Sequence, residues 1–462
     1  MSDVTAPFGE RLPELRTAVP GPASRALAVE LAAVESRNIT RIAEDGPIFW
    51  AEARGANVRD ADGNTYVDLT GGFSVAAAGH GNPRVAAAVA EQASRLAHGL
   101  GDVYPPDIKV RLLRKLAELA PGELGVTILA NSGAEAVEAA LKTAVMRTGR
   151  PGILAFEGAY HGLTYGALAT TWRGEFRGPF EAQLYRGVRF VPYPRARAGG
   201  DPASGAGDVA AAALAAVDRV LREAARSSDP IGAVIVEPIQ GRGGLVVPPD
   251  DFLPGLRELC DAHGAVLILD EIYTGFGRTG QWFACMHTGV VPDVLVVGKA
   301  LTGMLPLSAA IGTRDVMDAW PPSTGEAIHT STFLGNPIAC AAALAQIAEL
   351  EERRLVERAA RLGAALRERL ERWPETYEPV AEVRGRGLLL GVELVEDRTS
   401  RRPAAALAAR IVSGALRRGV ILLAEGPHAN VLAFTPPLVI TEAQLHHAVD
   451  VVEDELRAAL RP

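Results

Sequence analysis

Short apolar runs alternate with amphipathic helical patterns between about residues 127 and 312 of this 462-residue chain. Near-continuous apolar runs of this kind are typical of strands that are buried on both faces, as in a parallel sheet covered by helices. The predicted strands are Thr127–Ala130, Gly152–Phe156, Val188–Val191, Ala233–Val236, Ala265–Leu269 and Val294–Val297. Longer patterns predict helices over Ala134–Arg147 and Val209–Ala225. We therefore predict an α/β domain with a mainly parallel sheet flanked by helices.

The pattern changes after Pro337, where long charged helical stretches begin. There we predict helices over Ile338–Trp373, a strand over Gly387–Leu394, a further helix, a β pair and a final helix from Thr441. We divide the chain into an N-terminal segment (residues 1–75) that is part of a small domain, a large domain (76–337) and a C-terminal small α+β domain (338–462). Within the large domain, the Gly-, Ala-, Ser- and Pro-rich segment Arg195–Gly207 predicts a loop.

Composition narrows the class of protein. Apolar residues make up 48% of the chain and charged residues 22%, which is typical of a folded globular protein. The net charge of −8 argues against a nucleic-acid partner, and no apolar stretch is long enough to span a membrane. The three scattered cysteines predict neither a disulfide framework nor a metal site. Because the first residues lack a secretory pattern, we expect a cytoplasmic location.

Lys299 is the first candidate for chemistry. The chain has only four lysines, and Lys299 follows the apolar run Val294–Val297 almost directly. A lysine at the end of a buried strand can lose solvation, which lowers its pKa and makes it a neutral nucleophile. The alternative is a lysine in a surface loop, and we favour that interpretation for Lys109 and Lys115, which lie in an amphipathic, Arg-rich helical pattern.

Three further signals lie where predicted strands end, which is where open α/β sheets place their ligands. Ser132 and Gly133 form a small turn before a helix, a position at which N–H groups can bind a phosphate. Asp270 places a carboxylate at the end of a buried run, where it needs a cationic partner. Tyr160 could stack on a flat ring. Each signal alone also fits a helix cap, an arginine ion pair or core packing.

Together these are the parts that pyridoxal phosphate requires: a Schiff-base lysine, an acid for the ring nitrogen, a phosphate cup and a stacking aromatic. At this point the chain resembles the class III pyridoxal-phosphate-dependent aminotransferases of fold type I, over nearly its whole length. The matching segments are NSGAEAVEAALK (131–142), AYHG (159–162), EPIQGRGG (237–244), DEIYTGFGRTG (270–280), VGKALTGMLP (297–306), STFLGNP (331–337), VRGRGLLLGVEL (383–394) and FTPPLVI (434–440).

The resemblance implies a role for each matching residue. Lys299 would hold the cofactor as a Schiff base and then move the substrate proton, while Asp270 would keep the ring nitrogen protonated. Tyr160 would stack on the ring, with His161 and Glu237 also beside the cofactor, although a structural ion pair is an equal alternative for Glu237.

The resemblance also implies a phosphate cup and a homodimer. Ser132, Gly133 and Ala134 would bind the phosphate, and a threonine that matches Thr332 would complete the cup from the neighbouring subunit. A homodimer with two shared active sites is therefore expected.

The sequence departs from ornithine- and aminobutyrate-type relatives around the substrate. Those relatives carry an arginine that clamps the α-carboxylate at the position of Ala433, and a glutamate at the position of Arg242. They often have an arginine where this chain has Leu163, and a glutamine near the cofactor's phenolic oxygen where it has Tyr273. Two carboxylate anchors are thus absent, and a cation replaces an anion.

Two explanations remain open for Arg242. Its planar guanidinium could take over the substrate carboxylate, or it could point elsewhere while the pocket accepts amines without a carboxylate. Arg384 and Arg386 are reserve anchors, although bracing of the backbone suits both better. Phe73 and Trp50 are expected to line the entrance or to pack the N-terminal segment.

The expected activity is transfer of an amino group from an amino acid or amine to a keto acid or aldehyde, in two half-reactions. One alternative is an amino-acid racemase or epimerase of the same family, in which the proton returns to the substrate carbon. The other is an inactive binding protein, against which the complete set of Lys299, Asp270, Ser132 and Gly133 argues.

Overall fold

The computed structural model describes residues 6–43, 46–195, 206–325 and 327–461. Its strands, numbered in chain order, are β1 (Trp50–Arg54), β2 (Asn57–Asp60), β3 (Thr65–Asp68), β4 (Val126–Ala130), β5 (Gly152–Phe156), β6 (Val188–Val191), β7 (Ile231–Val236), β8 (Val266–Asp270), β9 (Val294–Val297), β10 (Ser308–Gly312), β11 (Val380–Arg386), β12 (Leu389–Leu394), β13 (Val420–Ile421), β14 (Leu423–Glu425) and β15 (Val431–Phe434).

The central sheet has seven strands in the order β4-β10-β9-β8-β7-β5-β6. Strand β10 runs antiparallel to both of its neighbours, and the other adjacent pairs are parallel. All six strands predicted from apolar runs are present, which confirms the prediction of a mainly parallel sheet. Because β4, β5, β7, β8 and β9 share one direction, the residues that follow them meet at one edge of the sheet.

The helices pack around this sheet and between the domains. Those of six or more residues are Pro22–Val34, Pro83–Arg95, Asp107–Leu119, Gly133–Thr148, Tyr165–Thr170, Ala206–Ala224, Phe252–His263, Pro337–Glu352, Leu355–Leu370, Ala405–Arg417 and Glu442–Ala459. Four-residue helical turns lie at Gly71–Ser74, Gly174–Arg177, Arg314–Met317 and Trp373–Thr376. None of the helices in the described part of the chain is long and apolar enough to cross a membrane.

The helix Gly133–Thr148 shows how local sequence positions the site. The Ser132 side chain accepts a hydrogen bond from the Glu135 N–H, and Gly149 ends the helix in the left-handed region at φ 66°. Its buried face is rich in alanine, which lets the helix pack closely on the sheet, next to β10 and β9. The first turn of this helix therefore lies at the sheet edge described above.

Two smaller sheets flank the central one. The first, β1-β2-β3-β13, combines strands from both ends of the chain, and the second has the order β11-β12-β15-β14. This arrangement agrees with a small domain that both chain ends build, but the boundaries at residues 75 and 337 stay a prediction.

One predicted element in this part is wrong in detail. The predicted strand Gly387–Leu394 begins two residues later, because Gly387 adopts φ 55° in the turn of a β11–β12 hairpin. The helices predicted over Ile338–Trp373 are present as Pro337–Glu352 and Leu355–Leu370, and the chain turns between them at Arg354, which adopts φ 50°. Most of the predicted loop Arg195–Gly207 lies outside the described residues.

Candidate active site

Residues from the ends of several central strands enclose a cavity of about 320 Å³. Its walls are formed by Gly133, Ala134, Tyr160, His161, Gly162, Leu163, Glu237, Gly241, Arg242, Asp270, Ile272, Tyr273 and Lys299. Most of the residues that the sequence nominated for chemistry therefore lie around one space, although they are spread over more than 160 positions of the chain.

Lys299 lies on a tight turn directly after β9. Its backbone has φ 44°, in the left-handed region that favours glycine, so the fold holds this lysine in a strained conformation. The Nζ atom lies 4.5 Å from the centre of the Tyr273 ring. Burial lowers the pKa of Lys299, while the charges of Asp270 and Glu237 oppose that shift. A lower pKa increases the fraction of neutral amine near neutral pH.

The other two lysines considered above lie away from this cavity. Lys115 forms an ion pair with Glu351 at 2.6 Å on the surface. Lys109 is half-buried and donates a hydrogen bond to the carbonyl oxygen of Gly101 at 2.7 Å. The surface interpretation thus suits Lys115 well and Lys109 only in part.

Asp270 ends β8 and is 4% exposed. Its Oδ2 lies 2.7 Å from the Nδ1 of buried His161, and its Oδ1 accepts a hydrogen bond from the Ile272 N–H at 3.1 Å. These two contacts hold the carboxylate at the cavity wall. The adjacent Glu271 points to the other side of the strand, where it accepts hydrogen bonds from the Ala284 and Cys285 N–H groups.

Glu237 follows β7 and is fully enclosed. Its two oxygens accept hydrogen bonds from the N–H groups of Tyr160 (3.0 Å) and Gly241 (2.9 Å), so one carboxylate connects two loops of the cavity. Burial raises the pKa of Glu237 to about 7; the nearby His161 opposes this and Asp270 adds to it. The contacts favour a role in holding the Tyr160 and Arg242 loops in place.

The helix that begins at Gly133 presents free donors to the cavity. The N–H groups of Gly133 and Ala134 form no hydrogen bond with any residue in the described ranges. The Ser132 carbonyl accepts a hydrogen bond from Ser308 Oγ at 2.6 Å, which fixes the turn to β10. Gly162, at φ 127°, approaches Ala134 so closely that a Cβ would lie 2.6 Å from the alanine Cβ. This helix start can accept an anion.

Arg242 also lines the cavity, and it lies beside Arg173. The Arg242 guanidinium carbon lies 5.1 Å from the centre of the Tyr160 ring and 5.9 Å from that of Phe176. Arg173 donates a hydrogen bond to the Arg242 carbonyl oxygen at 2.8 Å. Sequence reasoning missed Arg173 because it lies in a turn with no motif; only the proximity of its loop to AYHG could have suggested it.

Four nominated residues do not line this cavity within one chain, and one of them is Ser132, whose hydroxyl caps the helix. Thr332 lies on the exposed surface. Trp50 is 44% exposed and packs edge-to-face on His80 at 5.7 Å, while Phe73 is 53% exposed. Their predicted roles at a subunit boundary or an entrance stay predictions.

The reserve anchors have other partners. Arg384 is buried and donates hydrogen bonds to the Gly244 carbonyl oxygen, and it also pairs with Glu382. Arg386 forms an ion pair with Asp250. The Arg384 contact agrees with bracing of the backbone, whereas Arg386 contacts a side chain.

Comparison with known proteins places the chain. Residues 40–456 match the family model for class III aminotransferases. The chain is 38% identical over 447 residues to a 4-aminobutyrate aminotransferase from Mycobacterium tuberculosis, covering 95% of this chain and 96% of that one. It is 41% identical over 413 residues to an acetylornithine aminotransferase from Methanopyrus kandleri, covering 89% and 95%.

The fold agrees. An (S)-enantioselective omega-transaminase from Thermomicrobium roseum matches with a TM-score of 0.88 and 31% identity, covering 97% of this chain and all of that one (100%). The chain belongs to the class III aminotransferase family. It is a pyridoxal-phosphate-dependent aminotransferase of fold type I, which confirms the resemblance, the fold class and the cofactor expected from the sequence.

The residues of this aminotransferase fit its cofactor. Asp270 has two contacts and an ionised carboxylate can accept about four, so it has capacity for a further N–H donor. The free N–H groups of Gly133 and Ala134 suit a phosphate, and the buried Lys299 amine suits an aldehyde. The aromatic Tyr160 also lines the cavity.

Proposed function

We propose that Lys299 holds the cofactor of this aminotransferase and then carries the proton that leaves the substrate carbon. The observation that supports this proposal most strongly is the buried amine in the wall of the cavity that Asp270 and Glu237 also line. Because burial lowers its pKa, the amine can be neutral and accept a proton. Reduction of the purified holoenzyme with borohydride should label Lys299, and a label on another lysine would contradict the proposal.

Asp270 and His161 would act on the ring nitrogen of the cofactor. Pyridoxal phosphate, when bound, supplies a ring that accepts the electron pair left on the substrate carbon. A carboxylate beside the ring nitrogen favours the protonated ring, and His161 keeps that carboxylate oriented through the 2.7 Å contact. Tyr273 and Tyr160 would bound the space on either side, since both line the cavity.

The phosphate would lie on the N–H groups of Gly133 and Ala134, with the Ser132 hydroxyl beside them. We further propose that Thr332 of the partner subunit completes this cup in a homodimer. An exposed apolar patch supports the proposal: Leu100, Val103, Tyr104 and Phe333 are each more than half exposed. A ring contact between His98 and Phe333 and a hydrogen bond from Thr330 to Asp102 bring the two segments of this patch together, next to Thr332.

The mass measured by light scattering tests whether the protein is a homodimer. Mixing two inactive variants tests whether each active site uses residues of both subunits. Lys299→Ala and Thr332→Glu homodimers should each be nearly inactive. In a mixed dimer one site combines Lys299 from one chain with Thr332 from the other, so co-refolding the two variants should restore part of the activity. Failure to restore activity in a verified mixed dimer would contradict the shared site.

On the substrate side, we propose that Arg242 binds the carboxylate of the keto acid or amino acid. The guanidinium lies over Tyr160 at the cavity wall, and its Nε is buried without a hydrogen-bond partner in the described chain. A planar donor with free N–H groups suits a carboxylate. Phe73 and Trp50 remain candidates for the entrance because both expose large aromatic surfaces.

We also propose a cytoplasmic location. All three cysteines, Cys260, Cys285 and Cys340, are buried free thiols, which suits a reducing compartment.

A further inference from the structure

Glu425, the last residue of β14, is a buried carboxylate without a direct partner. It is 7% exposed, and within the described ranges its side chain forms no hydrogen bond or ion pair. A buried carboxylate in this state is costly unless a charged group compensates it. Its place in the fold therefore needs an explanation.

The pairing of β14 with β15 shows which way Glu425 faces. Glu425 pairs with Val431, and Leu423 pairs with Ala433. Because paired residues of antiparallel strands share a face and alternate residues return to it, Glu425 lies on the same face as Ala433.

That face packs toward the catalytic cavity. Val431 and Ala433 belong to an apolar cluster with Ile239 and Leu245, and Tyr273 of the cavity wall packs against this cluster. Glu425 thus lies on the same face as Ala433, the position where related enzymes carry their carboxylate clamp, but two residues further along the strand pair, and it has the opposite charge.

Three cations surround Glu425 at longer range. Burial raises its pKa, while the charges of Arg242, Arg173 and Lys299 lower it. Neither arginine closes an ion pair with it. Arg242 lies over the rings of Tyr160 and Phe176, and Arg173 is bonded to the Arg242 carbonyl oxygen. Arg242 and Lys299 therefore line the cavity, whereas the unpaired Glu425 is close enough to feel their charges but is not itself among the lining residues.

We propose that Glu425 binds a second ammonium group of the amino donor, so that the preferred donors are diamino carboxylic acids. Arg242 would take the carboxylate, Glu425 one ammonium group, and the other amine would reach Lys299. This inference rests on the proposed function. The reacting carbon loses its amino group and becomes an aldehyde or ketone, and a keto acid acceptor gains that amino group in the second half-reaction.

A donor panel with the holoenzyme tests the inference directly. Ornithine carries both amines, 5-aminovalerate lacks the α-amine, norvaline lacks the terminal amine, and putrescine lacks the carboxylate. With 2-oxoglutarate as acceptor, kcat/KM for ornithine should exceed that for 5-aminovalerate and for norvaline by about tenfold or more, as expected for a charge-assisted contact. Equal values for ornithine and either single amine would overturn the proposal.

Glu425→Gln then identifies the residue responsible. The variant should lose about tenfold in kcat/KM for ornithine while the better of the two single amines changes little. The control is Glu396→Gln, an exposed carboxylate of the same domain that pairs with Arg402, and it should leave the preference intact. An equal loss for ornithine and the single amines would mean that Glu425 acts on structure alone and would refute the inference.

Binding separates this inference from the proposed function. Calorimetric titration of ornithine and 5-aminovalerate into the Lys299→Ala protein loaded with cofactor needs no turnover. Weaker ornithine binding in the Lys299→Ala, Glu425→Gln double variant supports the contact, and equal binding refutes it. If the holoenzyme reacts with no donor at all, the proposed function fails, and the titration still decides the role of Glu425.

Discussion

The cofactor side and the substrate side of the cavity differ in how their charges are held. On the cofactor side, Asp270 contacts His161 and Glu237 binds two main-chain N–H groups, so these carboxylates are fixed by the chain itself. On the substrate side, Arg242 has an unpartnered buried Nε and Glu425 forms no close ion pair in the described residues. The carboxylates on the cofactor side are thus held by the protein itself, whereas the unpartnered charges on the substrate side indicate groups that a substrate could supply.

The largest effect should come from the cofactor side. Asp270→Asn removes the negative charge that favours a protonated ring nitrogen, so we expect kcat to fall about a thousandfold, with a smaller change in KM. Stopped-flow measurement of the first half-reaction checks this. The matched control is Asp293→Asn, which pairs with Arg257 outside the cavity and should change stability more than kcat. A tenfold loss or less in Asp270→Asn would show that the two sides differ less than proposed.

The next largest effect should come from the substrate side. Arg242→Ala should raise KM for keto acid acceptors about 10- to 100-fold, because a charge-assisted carboxylate contact is lost, and should leave simple amine donors nearly unchanged. Arg242→Lys should recover only part of the loss, since an ammonium lacks the planar fork. Steady-state kinetics with paired acceptors and donors measures this. An unchanged KM for keto acids would favour the pocket without a carboxylate clamp.

The buried Glu237 should have a moderate effect on the free energy of unfolding, and this effect should depend on pH. Its folded pKa of about 7 lies above the ordinary value of 4.5, so its stabilising contribution is full below about pH 4.5 and is lost as the pH rises through 7. The loss is on the order of 3 kcal/mol at most. In the cofactor-free protein, Glu237→Gln should therefore flatten the fall of unfolding free energy between pH 5 and pH 8, as followed by urea titration. Parallel profiles for both proteins would contradict the raised pKa.

The smallest effect should come from adding charge to the substrate side. Leu163 lines the cavity and is 51% exposed, so Leu163→Arg places a cation there without burying it. We expect about a threefold lower KM for dicarboxylate acceptors, because an exposed charge contributes little. Leu163→Gln is the control for size. Equal changes in KM for both substitutions would show that a charge at this position does not contribute to substrate binding.

The sequence predicted the cofactor side well because its residues follow apolar strands. Runs such as Val294–Val297 and Gly152–Phe156 are buried on both faces, so hydrophobicity alone located them and the residues after them. Strand β10 was missed because four of the five residues in Ser308–Gly312, all except Ile311, are small, so the run is only weakly apolar although it is fully buried.

The substrate side was harder to predict. Arg173 lies in a turn and Glu425 ends a three-residue strand, so neither has a periodic pattern around it. Their roles depend on loops from distant parts of the chain that meet only in the fold. Arg242 was found because it lies inside a recognisable motif, and its conflict with that motif was the informative signal.

Strand β10 has a mechanical consequence. It lies between β4, which leads to the proposed phosphate-binding turn, and β9, which leads to Lys299, and Ser308 donates a hydrogen bond to the Ser132 carbonyl. Two sheet spacings of roughly 4.8 Å each therefore separate the two strands whose following residues are proposed to hold the cofactor. Because the sheet fixes this separation, the loops around the substrate can vary in sequence without changing the distance between the residues proposed to hold the cofactor.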